Sequence, residues 1–323
     1  MIKTLIVTGG AGFIGSNFVR YMLGVSDTHI VCVDKLTYAG SMSSLEGITG
    51  DKRFTFVRAD ICDRAAMREV LGRYKPEAVI NFAAESHVDR SITDPGIFVT
   101  TNIIGVQTLM DCCLETGAHF HQISTDEVYG DLPADSEQAF DEQSPLRPSG
   151  PYSASKASAD LLALAYRRTY GLSVTITRSS NNYGCFQHTE KFIPHMIMCA
   201  LEGRNMPVYG DGSNVRDWLH VSDHCRALKM ILDGGREEVY NIAGHNEISN
   251  LRLAETICDI LGKPRELITF VSDRKGHDIR YSMKTDKLTS DTGWRPVRDF
   301  KEGLEETVRW YAAGKAAGGC LWK

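Results

Sequence analysis

The sequence predicts an α/β protein with a doubly wound parallel sheet and a smaller C-terminal α/β lobe. Over residues 2–171, short runs rich in β-branched residues alternate with amphipathic stretches. This alternation is typical of a parallel sheet whose two faces are covered by helices. From residue 174 onward the alternation loosens, and turn clusters such as 209–213 separate isolated helical segments. The regular part therefore predicts the sheet, and the looser part predicts the lobe.

Five short runs of β-branched and aromatic residues are predicted to be the first strands of the sheet. In chain order they cover residues 5–7, 30–33, 54–57, 79–82 and 120–123. Helices are predicted at 97–114, 152–170, 251–261 and 300–313. Since no long linker separates the sheet from the lobe, we expect the two to share a cleft.

Composition excludes several classes of protein. A chain of 323 residues with 42% hydrophobic and 24% charged residues can bury a large core. The formal net charge of -5 argues against a nucleic-acid-binding surface, which would need clustered lysine and arginine. The longest apolar runs, such as 2–8 and 78–84, are far shorter than the roughly 20 residues of a membrane helix. We therefore predict neither nucleic-acid binding nor a membrane span.

The N-terminus and the cysteines indicate a cytoplasmic protein. Met1 leads within a few residues into a predicted strand, which leaves no room for a signal peptide. The nine cysteines are scattered without metal-ligand spacing, and an odd count favours free thiols. We therefore predict no metal site.

A glycine-rich turn follows the first predicted strand. Residues 9–15 read GGAGFIG, and helical periodicity begins at Ser16. Small residues let the backbone approach a pyrophosphate at a helix N-terminus. The turn alone is weak evidence, because a purely structural turn has the same composition. Asp34, however, ends the second predicted strand about 20 residues further on, where a carboxylate binds a ribose and repels the 2'-phosphate of NADP. The pair predicts NAD binding.

Asp60 and Ile61 follow the third predicted strand and leave two interpretations open. They could contact an adenine, or an aspartate at position 60 or 63 could cap a helix.

Tyr152 and Lys156 are four residues apart, and so lie one turn apart on one face of a predicted helix. A lysine cation beside a phenol favours the phenolate, which can accept a proton from a sugar hydroxyl. A surface lysine beside a packed tyrosine would show the same spacing, so this pattern also needs its context.

These motifs together resemble the extended short-chain dehydrogenase/reductase family, in which they occur in this order. The resemblance covers essentially the whole chain. Residues 124–130, STDEVYG, are similar to the catalytic loop of the nucleotide-sugar 4,6-dehydratases that act on dTDP-glucose. Further similar segments are 82–91 (FAAESHVDRS), 180–184 (SNNYG), 216–219 (RDWL) and 276–278 (GHD).

The resemblance implies an NAD-binding Rossmann domain over 1–175 that also carries the catalytic residues. The lobe, 176–323, would mainly bind the sugar nucleotide, with some segments returning to the first domain. NAD would stay tightly bound and be regenerated in each turnover. The implied cofactor-binding residues are Gly9, Gly12, Phe13, Ile14, Gly15, Asp34, Lys35, Leu36, Thr37, Asp60, Ile61, Phe82, Ala83, Ala84, Ser86, Thr101, Tyr152, Lys156 and Asn182. The implied substrate-binding residues are Ser86, Thr125, Asn181, Lys191, Arg216, Asn250, Arg274 and His277.

The implied reaction explains a pair of adjacent carboxyls. Oxidation at C4 of the sugar creates a ketone that acidifies the hydrogen on C5. By resemblance, Glu127 removes this proton, Asp126 protonates the leaving C6 hydroxyl, and the hydride then returns to C6. Thr125 would hydrogen-bond the C4 oxygen and assist Tyr152. To donate a proton at neutral pH, Asp126 needs a raised pKa, which burial and Glu127 would provide.

Two segments depart from the usual pattern of these relatives. Lys275 replaces a proline, and residues 178–180 read RSS where NCS is common. Asn250 aligns only with a shift of one residue. The departures concern the nucleotide pocket and the nicotinamide pocket.

Rival functions share parts of this pattern. An epimerase or decarboxylase would need NAD and Tyr152 but not the carboxyl pair, and a non-catalytic NAD sensor would need none of the four catalytic groups. UDP-glucose is an alternative to dTDP-glucose as substrate. The predicted helices 97–114 and 152–170 carry more apolar positions than one sheet requires, and by resemblance we expect them to form a homodimer through a four-helix bundle.

Overall fold

A parallel sheet forms the centre of the structure, a computed structural model that describes residues 2–234 and 237–316. The described strands are β1 (Thr4–Thr8), β2 (His29–Asp34), β3 (Phe54–Arg58), β4 (Ala78–Asn81), β5 (His119–Thr125), β6 (Val174–Ser179), β7 (Asn181–Tyr183), β8 (Met206–Tyr209), β9 (Val215–His220), β10 (Val239–Ile242), β11 (Glu247–Ser249) and β12 (Ile268–Val271). In the central sheet their order is β10-β6-β5-β4-β1-β2-β3, and all of its paired strands are parallel. The predicted fold class is confirmed.

Helices cover both faces of this sheet. The described α-helices are α1 (Phe13–Val25), α2 (Arg64–Tyr74), α3 (Val88–Thr93), α4 (Pro95–Val99), α5 (Val106–Thr116), α6 (Pro151–Tyr170), α7 (Phe192–Glu202), α8 (Val221–Gly234), α9 (Asn250–Leu261), α10 (Asp286–Thr292) and α11 (Phe300–Ala316). A π-helical segment, Thr100–Gly105, joins α4 to α5, and a 3-10 turn, Asp126–Tyr129, follows β5.

The strand order reverses beside β1. From β1 the chain adds β2 and β3 on one side and later β4, β5 and β6 on the other. Successive loops therefore leave the sheet in opposite directions, and a crevice opens at the carboxyl ends of the strands. Side chains of β1 alternate between two cores: Leu5 and Val7 pack on one face, and Ile6 on the other. This double burial explains why the strands read as continuous apolar runs.

All five predicted strands are present, with ends that differ by one or two residues. The pattern did not predict β6 and β10 as members of the central sheet. β10 returns from the later part of the chain and pairs with β6, with Val239 opposite Ile176. Such a pairing joins residues far apart in sequence, so no local periodicity signals it.

The smaller lobe packs at the carboxyl edge of the sheet. Its strands form two short sheets, β11-β9-β7 and β12-β8. Helices α7, α9 and α11 bury a separate apolar core that includes Ile197, Ile257 and Leu304. The crevice therefore lies between the central sheet and this lobe.

Residues 95–116 form the helical segment that was predicted at 97–114. The segment is long and apolar enough to span a membrane by length and composition, yet 56% of its most apolar window is buried inside the protein. Its helix α5 packs against α2 and α6. Packing in the core accounts for part of this apolar composition, while Ile97, Val99 and Ile104 remain exposed. The helix predicted at 152–170 is present as α6, and those predicted at 251–261 and 300–313 are α9 and α11.

Candidate active site

The crevice at the carboxyl ends of the strands is a cavity of about 690 Å³. It is lined by the ends of β1, β4 and β5, by the start of α6 and by residues of the lobe. The residues predicted to bind cofactor or substrate, and the catalytic residues, all line it except Leu36. The backbone amide of Leu36 donates to Asp34 Oδ1 at 2.7 Å instead. The structure thus brings distant sequence segments to one site.

The glycine turn lies against the end of β4. Gly9 has a φ of +66°, and a Cβ there would lie 2.4 Å from the backbone nitrogen of Ala83. A Cβ on Gly15 would lie 2.3 Å from the carbonyl oxygen of Gly9. A side chain at Gly9 would push the turn away from the end of β4, and one at Gly15 would push the turn away from α1. The turn therefore keeps the N-terminus of α1 open to the cavity, where backbone amides can bind a phosphate.

Asp34 lies where the glycine turn meets the end of β2. Its Oδ2 accepts a hydrogen bond from the amide of Ala11 at 3.0 Å. Burial raises the pKa of Asp34, and the two backbone amides it binds lower it. These contacts hold the carboxylate at the cavity wall, and this geometry fits the ribose of NAD.

The two interpretations of Asp60 are now separated. Asp63 caps α2 by accepting a hydrogen bond from the amide of Ala66 at 3.0 Å. Asp60 instead lines the cavity, and its Oδ2 lies 3.3 Å from Nζ of Lys35. Asp60 thus faces the site, and its ion-pair partner Lys35 is partly buried beside it.

Lys156 projects from α6 toward the end of β5. Its Nζ donates a hydrogen bond to the carbonyl oxygen of Ile123 at 2.6 Å. Burial lowers the pKa of Lys156 to about 8, against the opposing effect of the Asp160 carboxylate. The ammonium is therefore only moderately favoured over the amine near neutral pH.

Tyr152 lies one turn before Lys156 and faces the carboxyl pair. Burial raises the pKa of Tyr152, the charges of Glu127 and Asp126 raise it further, and a hydrogen bond with Thr125 lowers it. Burial and the two carboxyls therefore dominate the pKa of Tyr152, and the effect of Lys156 on the phenol stays a prediction.

The carboxyl pair begins the 3-10 turn after β5. Thr125 caps this turn: its Oγ1 accepts from the amide of Glu127 at 3.4 Å and donates to Asp126 Oδ1 at 3.1 Å. Asp126 is 2% exposed, and its Oδ2 has no hydrogen-bond partner among the described residues. A buried oxygen without a partner is free to donate a proton to a ligand.

The two carboxyls differ in their surroundings. Burial, and then the charge of Glu127, raise the pKa of Asp126 to about 8, as the sequence analysis expected. Burial also raises the pKa of Glu127, but the cations Arg274, Arg216 and Lys191 lower it. Asp126 is therefore suited to give a proton and Glu127 to accept one.

The lobe contributes the cations that face this pair. Lys191 donates to the carbonyl oxygen of Ser86 at 2.6 Å and so links the lobe to the loop after β4. Arg216 lies over the ring of Tyr281, 4.5 Å from its centroid, and donates to the carbonyl oxygen of Asp278 at 2.8 Å. His277 Nδ1 lies 2.6 Å from Asp273 Oδ1. This wall offers charge to an anionic ligand such as a diphosphate.

Asn182 is the middle residue of β7 and is buried. Its Nδ2 donates to the carbonyl oxygen of Ser180 at 2.9 Å, and its Oδ1 lies 2.9 Å from Nδ1 of the buried His224. Asn181 Oδ1 is buried without a hydrogen-bond partner among the described residues. Both side chains line the cavity, and only that of Asn182 is held by hydrogen bonds to described neighbours.

The departures from the relatives' pattern are divided between the cavity and its surroundings, since Ser179 lines the cavity whereas Arg178 and Lys275 do not. Arg178 is not among its lining residues, because its guanidinium is buried against Asp160 at 2.9 Å. Lys275 is exposed and also lies outside the lining. Asn250 does line the cavity, and its amide donates to the carbonyl oxygen of Asn214 at 3.0 Å.

The cavity also contains residues that the sequence analysis did not select. Glu190, Tyr209 and Tyr281 line it together with His87 and His188. His188 and Glu190 come just before Lys191 in the sequence, so their closeness to a predicted substrate-binding residue could have indicated them. Nothing in the local sequence distinguishes Tyr281, which comes into place only because its segment packs beside Arg216.

Comparison with known proteins agrees with this geometry. Residues 6–307 match the model of the family described as GDP-mannose 4,6 dehydratase. A dTDP-glucose 4,6-dehydratase of Shigella flexneri is 47% identical over 334 residues, with 96% of this chain and 92% of that protein covered. DesIV, a dTDP-glucose 4,6-dehydratase of Streptomyces venezuelae solved with NAD and dTDP bound, has a TM-score of 0.94 at 45% identity and covers 99% of this chain and 100% of its own. The dTDP-glucose 4,6-dehydratase of Bacillus anthracis in complex with NAD has a TM-score of 0.90 at 45% identity, covering 97% and 98%.

Titration of Asp126 provides a test of the site's electrostatics. At neutral pH we expect an infrared band of a protonated carboxyl that disappears above about pH 8 and is absent in Asp126→Asn. Glu127→Gln removes a negative neighbour and should move the loss of this band to lower pH, because the repulsion that favoured the protonated form is gone. Glu305→Gln, at a partly exposed position of α11 that does not line the cavity, is the control. An unchanged titration in Glu127→Gln would contradict the assigned coupling.

Proposed function

Because the chain belongs to the GDP-mannose 4,6-dehydratase family, we propose that it is an NAD-dependent hydro-lyase that converts dTDP-glucose to dTDP-4-keto-6-deoxyglucose. The observation that carries this proposal is the carboxyl pair at positions 126 and 127, which faces Tyr152 across one cavity. An epimerase or a decarboxylase eliminates no water across C5 and C6 and so would not need this pair. A protein that only senses NAD would not need it either.

The nucleotide cofactor fits the residues of the central sheet. The glycine turn and Asp34 suit the pyrophosphate and the ribose, while Asp60 and Ile61 suit the adenine end. When bound, NAD takes up the hydride from C4 of the sugar and later returns it to C6. Thr101, Tyr152 and Lys156 line the nicotinamide end of the same cavity.

Tyr152 accepts the proton of the C4 hydroxyl in the first step. Only the phenolate of Tyr152 can accept this proton, so the positive nicotinamide ring of bound NAD would have to offset the burial that raises the pKa of Tyr152. Thr125 hydrogen-bonds the same oxygen. Lys156, held on the carbonyl of Ile123, orients the cofactor side of the site.

The elimination uses the difference between the two carboxyls. Glu127 lies among cations that stabilise its ionised form, and it removes the proton from C5. Asp126 retains its proton at neutral pH and transfers it to the C6 hydroxyl, which leaves as water. The hydride then returns to C6, Glu127 returns its proton to C5, and the proton that Tyr152 took from the C4 hydroxyl replaces the one that Asp126 lost.

The lobe binds the nucleoside diphosphate. Lys191, Arg216 and Arg274 bear the charge that a diphosphate requires, and Asn181, Asn250 and His277 add hydrogen-bonding groups along the same wall. The names of the relatives favour thymidine over uridine as the nucleoside.

We further propose that the enzyme is a cytoplasmic homodimer. Apolar side chains remain exposed on neighbouring helices: Ile97 at 38%, Val99 at 49%, Ile104 at 47% and Leu161 at 57%. These residues lie on the segment 95–116 and on α6, which pack together. Pairing this face with its copy would form a four-helix bundle and bury the apolar groups.

The function is tested by incubating the purified protein separately with dTDP-glucose and UDP-glucose, without added NAD. We expect dTDP-glucose to lose the mass of one water and to give the alkaline absorbance of a keto sugar, with UDP-glucose reacting more slowly. A change of configuration at C4 without loss of mass would contradict the proposal and indicate an epimerase.

Variants should separate the oxidation at C4 from the elimination of water. Asp126→Asn combined with Glu127→Gln should still oxidise C4, so that reduced cofactor accumulates on the enzyme while no water is lost. Tyr152→Phe should prevent the first stage and show no reduced cofactor. Absorbance of the reduced nicotinamide distinguishes the two variants. Product formation at the normal rate by the double variant would contradict the assigned elimination.

The dimer is tested by Leu161→Asp combined with Ile104→Asp. Two carboxylates in the apolar face should dissociate the protein into monomers, measured by light scattering. Val297→Asp, at a position 76% exposed and outside these helices, is the control and should leave the mass unchanged. A wild-type protein that is already monomeric would exclude the four-helix bundle.

A further inference from the structure

A buried ion pair lies directly behind Tyr152 and Lys156. Asp160 follows Lys156 by one turn on α6 and is 0% exposed. Arg178, on β6, is 3% exposed and places its Nε 2.9 Å from Asp160 Oδ2. Neither residue lines the cavity. The pair is therefore close to the catalytic lysine without access to a ligand.

Arg178 is anchored on its far side as well. Its Nη1 donates to the hydroxyl oxygen of Tyr129 at 2.8 Å, and that hydroxyl donates to Asn241 Oδ1 at 2.7 Å. The ring of Tyr129 stacks on Phe140, with centroids 5.0 Å apart. The guanidinium thus has a fixed position, and it fixes the Asp160 carboxylate in turn.

A buried ion pair is weak as a source of stability. Removing two charges from water costs about as much as their attraction returns, so a well-packed apolar pair would stabilise the fold as well. The position of Asp160 beside Lys156 indicates another role. Asp160 opposes the effect of burial on the pKa of Lys156, and Lys156 in turn lowers the pKa of Asp160.

We propose that the Asp160–Arg178 pair is a positioning element that sets the charge balance behind Lys156 and thereby the pH range in which Tyr152 and Lys156 act. The proposal rests on the proposed function, because it assigns the pair to the same C4 oxidation. Asp160 stabilises the lysine ammonium, and Arg178 limits this effect by neutralising part of the carboxylate's charge. Both partners are needed to keep the pH range of the C4 oxidation near neutral.

The other titratable groups near Lys156 affect the pKa of Tyr152 or of Asp160, or they are uncharged. On α6 the titratable neighbours are Tyr152 and Asp160, and β5 contributes the Ile123 carbonyl and the buried, neutral His121. The 3-10 turn contributes Asp126 and Glu127, whose charges act on Tyr152, and β6 contributes Arg178. Asp160 is the charged side chain that acts on the pKa of Lys156 in the described part of the chain.

The role predicts effects of opposite sign for the two partners. Asp160→Asn removes a negative charge, so the pKa values of both Lys156 and Tyr152 should fall. Arg178→Met removes a positive charge, so both should rise. A pair that only supports the fold would weaken the protein in both variants and would leave the pH profile where it is.

The experiment follows the rate at which reduced cofactor forms with dTDP-glucose, as a function of pH, in the Asp126→Asn and Glu127→Gln background that stops before elimination. Asp160→Asn should move both limbs of the profile to lower pH by about one unit, and Arg178→Met should move them to higher pH by about one unit. Arg178→Lys keeps the charge and should follow the background. The combination of Asp160→Asn with Arg178→Met leaves the net charge unchanged and should return the profile toward the background.

Shifts in the same direction, or profiles that do not move while reduced cofactor still forms, would overturn this role and leave the proposed function standing. Absence of reduced cofactor in the background at every pH would overturn the proposed function and this role with it. If Asp160→Asn or Arg178→Met does not fold, the direction in which the other variant shifts the pH profile decides. The double variant, whose net charge is unchanged, then shows whether the profile depends on charge.

Discussion

Desolvation of ionisable side chains at the carboxyl edge of the sheet is the constraint on which the site depends. Burial is the largest influence on the pKa of Asp126, Tyr152 and Lys156, and in each case it favours the neutral form. Burial thus brings the pKa of Asp126 up to about 8 and that of Lys156 down to about 8, so both groups can gain or lose a proton near neutral pH. Protons can then move in both directions during one cycle, as oxidation, elimination and reduction in sequence require. A solvated site would hold full charges and favour one direction only.

The fold maintains this desolvation through a few rigid connections. The π-helical segment directs Asn102 inward, where its side chain bonds both backbone groups of Glu85 and donates to Ser155 Oγ at 2.8 Å. Ser155 is next to Lys156 on α6, so these bonds fix the loop after β4 to the catalytic helix. Lys191 then joins the same loop to the lobe. Cofactor side, catalytic helix and substrate side are thus linked by buried hydrogen bonds, and the geometry between them does not rely on the ligands alone.

Local patterns predicted the parts of the site that local chemistry determines. The glycine turn, Asp34 and the spacing of Tyr152 and Lys156 are each set within one strand-turn-helix unit, and the structure places them in one cavity. The sequence could not show that β10 completes the sheet, or that Arg178 faces Asp160 instead of the nicotinamide pocket, because both depend on contacts between distant segments. Tyr281 was missed for the same reason. The raised pKa of Tyr152 was not predicted, because spacing along a helix says nothing about burial.

The distribution of charge between the two lobes has a consequence for Glu127. In the free protein burial raises the pKa of Glu127, and the cations Arg274, Arg216 and Lys191 oppose this rise. A bound diphosphate would neutralise these cations, and the pKa of Glu127 would rise while its distance from C5 is fixed by the same contacts. Glu127 would therefore become a stronger base only when the sugar nucleotide is in place. Binding energy from the nucleotide, far from the reacting carbons, would in this way contribute to proton removal, as differential binding of the transition state requires.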